Sequence, residues 1–256
     1  MSDIVEKFAV FGGVNWSGLD VSKPTAELVE KLVLPDFKFI RNDVTEVTEG
    51  MPLYHSILSG VAQGDGQMHT AFKRANVSAE VGQKAVNELI EKGIIKKSKA
   101  NKLYFTSPFL RFWFAFVSPI FKGIRDGDYS EFHKLFTNKE SEFVQLSFIE
   151  LSHALLKERL KDEVIMELGE YVKDGVAFDI YAKTKSGKVM AGVCKYTNAK
   201  LKKSELTRLQ EDCQKAGLAI DTFVLVAKNG FSNELKSLKG ENLKLLTLKN
   251  FKSLVE

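Results

Sequence analysis

The sequence predicts two structural classes in one chain: a helical module closed by a β-hairpin, then an α/β sandwich on a mixed sheet. Three observations predict it. Between residues 54 and 106, three short helical segments run into two short strand-like ones. From residue 140 the pattern changes to helix, three strands, helix, strand, the order αβββαβ. Between these stretches lies an almost wholly apolar helix.

The N-terminal part is the least patterned. Residues 4–14 run apolar into Gly12-Gly13, and Leu28 and Leu32 give the stretch from Pro24 to Leu34 helical spacing, with Pro35 as its stop. Residues 42–52, rich in Thr, Glu and Gly, read as a linker.

The next segments are sharper. Tyr54 to Ala62 and Gln67 to Ala75 are short helices separated by a Gly64-Asp65-Gly66 turn, and Asn76-Val77 makes a tight connection. Ser78 is a good cap for a third helix, because its hydroxyl can accept from an orphan amide of the first turn. Val81, Ala85, Leu89 and Ile90 form its expected buried face, and Gly93 suits a left-handed stop. Ile94-Ile95 begins a strand, 96–102 is a basic tip, and Leu103-Tyr104-Phe105 returns. Three helices and a hairpin in this order make a winged helix-turn-helix.

Ser107-Pro108 starts the apolar helix Phe109 to Val117, whose aromatic residues are expected to pack in a core and join two domains. Phe143 to Leu160 is amphipathic. Val164–Tyr171, Val176–Lys183 and Val189–Tyr196 are strand-like, Leu201–Ala216 is helical, Thr222–Ala227 is a continuous apolar strand, and Leu243–Leu248 adds a last one. The expected divisions are 1–50, a helical lead; 51–106, the winged helix; 107–139, linking helices; and 140–256, the α/β domain.

With 256 residues, 44% hydrophobic and 27% charged, the chain builds a core and is not a disordered one. A net charge of +4 permits a nucleic-acid partner without demanding one. Cys194 and Cys213 lack CxxC spacing and His55, His69, His133 and His153 are scattered, so no zinc site is expected and the histidines receive no role. Buried thiols in a reducing cytoplasm are the simplest reading. Asp3 and Glu6 argue against a signal peptide, and the greasiest stretch, 109–121, is too short to span a membrane and holds Arg111. No GxxxxGK[ST] loop is present, so no NTP is expected.

The αβββαβ order raises one specific chemistry. Nucleases of the PD-(D/E)xK kind, with a restriction-endonuclease-like fold, place an Asp on the second strand and a (D/E)xK triplet on the third; the two carboxylates hold Mg²⁺. Asp179 lies on the second strand and is the candidate metal ligand. The third strand offers Val193-Cys194-Lys195, in which the Lys is in place and the acid is replaced by Val193.

Several segments together resemble the C-terminal domain of unknown function of archaeal-type DEXX-box ATPases. They are Thr106-Ser107-Pro108-Phe109-Leu110-Arg111-Phe112-Trp113-Phe114, Phe178-Asp179-Ile180, Gly192-Val193-Cys194-Lys195-Tyr196 and Phe223-Val224-Leu225; upstream, Val10-Phe11-Gly12-Gly13-Val14 resembles the lid segment after the ATPase core. The resemblance implies a winged helix plus nuclease-like fold, with 1–50 as a lid-like remnant, in a chain that begins just after where the core would end. It also implies Glu-x-Lys on the third strand, where Val193 stands here, and an acid on the first helix of the domain, near Glu150 or Ile149.

Three outcomes follow for the site. It is inactive and only binds; it is rescued by Glu150 or by an acid of the next helix, Glu205 or Glu211, acting with Asp179 and Lys195; or the register is misassigned. No cofactor is required, and Mg²⁺ is expected only if the site cuts. Lys92, Lys96, Lys97, Lys99 and Lys102 surround the wing, and Lys195, Lys200, Lys202 and Lys203 cluster near the nuclease-like motif. Lysines of this kind contact phosphates of duplex DNA. Lys84, Gln83 and Asn87 point outward on the third helix, where the two amides could read adenine edges, beside Glu80, Glu88 and Glu91, which face phosphates badly. The rival partner for the winged helix is a protein, such as a separate ATPase; no membrane partner is expected.

Overall fold

The computed structural model describes residues 4–64, 66–98 and 101–254. Contacts divide the chain into two compact units, Met1–Phe143 and Val144–Glu256.

The first unit is built from helices whose ends follow local chemistry. α1 (Ile4–Phe11) and α2 (Thr25–Leu32) precede α3 (Phe37–Val47). The last of these overturns the linker reading for 42–47, while 48–51 form the turn into the next helix. Phe37 and Val44 are buried and anchor it, while the Thr45 and Thr48 hydroxyls donate to the Arg41 and Val44 carbonyls. Polar composition misled because those threonines serve their own helix.

α4 (Pro52–Ala62), α5 (Met68–Ala75) and α6 (Ala79–Glu91) are followed by β1 (Ile95–Lys97) and β2 (Leu103–Phe105), which pair antiparallel. Asn76 turns between α5 and α6 with φ 54°, and Ser78 Oγ accepts from Val81 N at 3.3 Å. The buried face of α6 is Gly82, Ala85, Val86 and Leu89. Val81 is 46% exposed, so the expected face is rotated by one position. Gly82 is the reason: a Cβ there would stand 2.5 Å from the Phe72 ring of α5, so the two helices cross on the glycine. A one-residue antiparallel bridge joins Gln67 to Lys102, and the Leu103 amide donates to the Gly66 carbonyl at 2.8 Å.

α7 (Pro108–Phe112) starts at Ser107, whose hydroxyl accepts from Leu110 N, and continues as a π-helical turn, Trp113–Val117. Every residue from Arg111 to Val117 is buried. The Phe112 ring meets Phe132, Phe136 and Phe143 at 6.1–6.3 Å, so this core lies within the first unit. Phe109 N donates to the Gly12 carbonyl at 3.0 Å, which ties the end of α1 to the start of α7. A 3₁₀ turn, Ser118–Ile120, and α8 (Phe121–Arg125) lead to α9 (Ser130–Arg159). This 30-residue helix begins well before the expected Phe143, and the division between the units falls inside it.

The second unit is a five-stranded mixed sheet in sequence order: β3 (Ile165–Lys173), β4 (Val176–Thr184), β5 (Val189–Lys195), β6 (Thr222–Ala227) and β7 (Leu243–Thr247). β3, β4 and β5 are mutually antiparallel, and β5, β6 and β7 are parallel. α10 (Lys203–Lys215) makes the β5-to-β6 crossover and α11 (Asn233–Ser237) lies in the β6-to-β7 connection. Leu206, Leu209 and Cys213 of α10 pack with Phe178, Ala191 and Leu225 of the sheet. No helix among the described residues is long and apolar enough to cross a membrane.

Candidate functional site

The two regions singled out by the sequence lie in different units and are built differently. In the second unit the β4–β5 ladder is paired from Lys183 and Val189 up to Ile180 and Gly192. Beyond that point the cross-strand groups of β5 are met by side chains. Asp179 Oδ2 accepts from Cys194 N at 2.7 Å. Gln145 of α9 donates from Nε2 to the Cys194 carbonyl at 2.9 Å and accepts through Oε1 from Tyr196 N at 2.7 Å. Residues 194 and 196 present their backbone groups to the same side of the strand, which is why one amide side chain reaches both. His153, eight residues along the same helix, donates from Nε2 to the Asp179 carbonyl at 2.7 Å.

Lys195 and Val193 alternate with Cys194 along β5, so they face α10 while Cys194 faces α9. Val193 packs with the α10-side core. Lys195 Nζ lies 3.7 Å from Glu205 Oε2 at the start of α10, both half-exposed. Glu205 is therefore the predicted acid that meets the lysine. Glu211 is six residues further on, about 240° around the helix, and exposed. Glu150 is half-buried on α9 next to buried Ile149. Burial, then the Asp179 charge, pushes the Cys194 thiol well up, so it is an inert strand thiol; burial raises Cys213 to about 11.

As placed, these residues offer a divalent ion no assembled set of three ligands. Val193 offers no lone pair, Asp179 lends an oxygen to the Cys194 amide, and no group of three His, Cys, Asp or Glu among the described residues is placed to hold a metal. The basic cluster nearby is also partly neutralised: Lys203 Nζ is 3.4 Å from Glu234 Oε1, while Lys200 and Lys202 are exposed. Sequence reasoning missed Gln145, His153 and Lys228, whose ammonium lies 4.1 Å from the Tyr196 ring centre. The i, i+8 spacing of Gln145 and His153 on a helix face shared with Phe148, Ile149 and Ser152 was the available signal for the first two.

In the first unit, Lys96 and Lys97 are exposed on β1 and Lys102 is half-buried at the start of β2. Lys99 lies outside the described residues. Lys92 is ion-paired with Glu49, so the acid missing from the local sequence arrives from the end of α3. On α6, Lys84 is exposed, and Gln83 Nε2 donates to Asn87 Oδ1 at 2.9 Å. That bond uses one donor hydrogen of Gln83 and one lone pair of Asn87 and couples the orientations of the two amides. Glu88 does not point outward as expected; it accepts from the Tyr54 hydroxyl at 2.8 Å, while Glu80 and Glu91 remain exposed.

No curated protein and no solved structure matches this chain. Residues 113–209 match the model of one family, DUF234, described as archaea bacterial proteins of unknown function, a match that runs from the π-helical turn of the first unit into α10 of the second.

Proposed function

We propose that the chain binds duplex DNA with little regard to sequence, through a winged-helix module at 51–106, and carries after it a nuclease-like domain that no longer cuts. The observation that carries this reading is the three-helix array closed by a two-stranded hairpin, with the one-residue Gln67–Lys102 bridge beside it and Lys96 and Lys97 exposed on the hairpin. The second unit supports it through its order, α9-β3-β4-β5-α10-β6, and through Val193, an apolar side chain at the place where a metal-binding acid would stand. In this reading residues 1–50 correspond to the lid that follows an ATPase core, no cofactor is needed, and the buried thiols suit a reducing cytoplasm, where we place the protein.

Phosphate contacts give non-specific affinity a steep salt dependence, with a slope of log K on log salt of about −0.9 per contact. The triple change Lys96→Glu, Lys97→Glu, Lys99→Glu should therefore abolish most binding and flatten the slope by roughly 2.7. Fluorescence anisotropy of a labelled duplex across a salt series measures both. Unchanged affinity would move the module to protein contacts, a role that the exposed Glu80 and Glu91 of α6 would suit.

One observation favours a second reading, a nuclease in which Glu205 replaces the lost acid: its carboxylate meets Lys195 at 3.7 Å. Plasmid incubation with Mg²⁺ or Mn²⁺ separates the two. We expect no cleavage; cleavage lost in both Glu205→Ala and Asp179→Ala would establish the second reading.

A further inference from the structure

A separate feature of the first unit is a cavity of about 220 Å³ bounded by α4, α5, α7 and α9. Its cations come from three helices: Arg74 from α5, Arg111 from α7 and Lys139 from α9. Glu142 is the one carboxylate among the described lining residues, so their formal charge is +2. Phe116 and Phe143 supply apolar wall.

The cations are not alike. Arg111 is only 7% exposed and held in place: Nη1 donates to the Phe143 carbonyl at 2.9 Å, and its guanidinium lies 4.2 Å from the Phe143 ring centre. A guanidinium fixed in this way has little side-chain entropy left to lose on binding. Arg74 and Lys139 are exposed and able to close over a ligand. Arg74 passes over Gly64, where a Cβ would stand 3.2 Å from its Nη1, so the absent side chain leaves it room to reach the cavity.

We propose that this cavity binds a small phosphate monoester. A monoester carries about −1.5 to −2 charges at neutral pH, which matches the lining, whereas a carboxylate would meet only half of it. Guanidinium forks suit the phosphate oxygens, and the apolar wall takes the organic group. The volume is below the roughly 300–1,000 Å³ of drug-sized sites, so the ligand is small. The inference does not depend on the DNA reading, whose lysines lie on the hairpin.

The test is isothermal titration calorimetry of the full chain with phenyl phosphate, inorganic phosphate and benzoate. Phenyl phosphate should bind saturably and at least about tenfold more tightly than benzoate. Its affinity should fall as pH drops below about 6, where the second phosphate proton returns. Arg74→Gln with Lys139→Gln, both at exposed positions, should weaken binding by about a hundredfold, tenfold per cation. Arg111→Lys should also weaken it, and if that buried change unfolds the protein the exposed pair still decides. Absence of saturable heat, equal binding of benzoate, or an unchanged double variant each overturns the proposal.

Discussion

Gln145 offers the most direct test of how the second unit is held together. Its side chain meets two backbone groups at the end of β5, the Cys194 carbonyl at 2.9 Å and the Tyr196 amide just past the strand at 2.7 Å, where β4 no longer pairs. An orphaned buried polar group costs about 1–3 kcal/mol; Gln145 is half-buried, so the lower half of that range applies to each. Gln145→Ala should then cost about 2–4 kcal/mol, about 1–2 for each of the two groups. Gln145→Leu should cost nearly as much, because it restores bulk without restoring either bond. Gln145→Glu should fall between, since a carboxylate still accepts from Tyr196 N but repels the Cys194 carbonyl. Trp16 and Trp113 both lie in the first unit, so tryptophan fluorescence would miss the effect. Hydrogen exchange on β5 peptides reads it directly, and the loss corresponds to exchange about thirty- to several-hundredfold faster. Exchange within about threefold of the native rate in both the Ala and the Leu variant would refute the reasoning.

Two further outcomes are expected. Gly82→Ala should destabilise the first unit by about 1–3 kcal/mol, because its Cβ would meet the Phe72 ring at 2.5 Å; an unchanged tryptophan-monitored urea midpoint would contradict that crossing. His55 is held below its ordinary pKa of 6.5, first by partial burial and then by the Arg41 charge, and its Nε2 lies 2.9 Å from Ser118 Oγ. Its folded form resists protonation relative to the unfolded chain, so its contribution is complete above about pH 6.5 and is lost as pH falls from there through the depressed folded value. Replacing it with Gln should flatten the pH dependence of first-unit stability in that window, and identical profiles would reject the assignment.

Much of the architecture was legible because it rests on local chemistry. The continuous apolar run Thr222–Ala227 is β6 residue for residue, and the caps at Ser78 and Ser107 start the helices they were expected to start. Misreadings arose where a neighbour decides. Residues 42–47 are helical because Phe37 and Val44 find a core, and the face of α6 is rotated by contact with Phe72. The candidate site was legible as residue types and not as bonds. Asp179 and Lys195 were singled out from the strand pattern, but the Asp179–Cys194 bond depends on a ladder that stops at Ile180 and Gly192, and spacing along one strand does not report where its neighbour parts from it.

That parting changes how the acid is to be weighed. Gly192 packs so tightly that a Cβ would stand 2.3 Å from the Val224 carbonyl and 3.2 Å from the Ile180 Cβ, and just past it β5 must find other partners. With α9 against this edge, water cannot satisfy every group, so side chains do: Gln145 for two of them and Asp179 for the third. An acceptor at position 179 is therefore required by the backbone of β5 whether or not a metal is ever held there. The aspartate by itself is weak support for catalysis. The informative position is 193, which makes no such backbone demand and holds an apolar side chain packed with the α10-side core, beside a lysine already matched by Glu205. The opening between β4 and β5 can thus be kept by the backbone's need for acceptors and donors alone, with no catalytic role for Asp179.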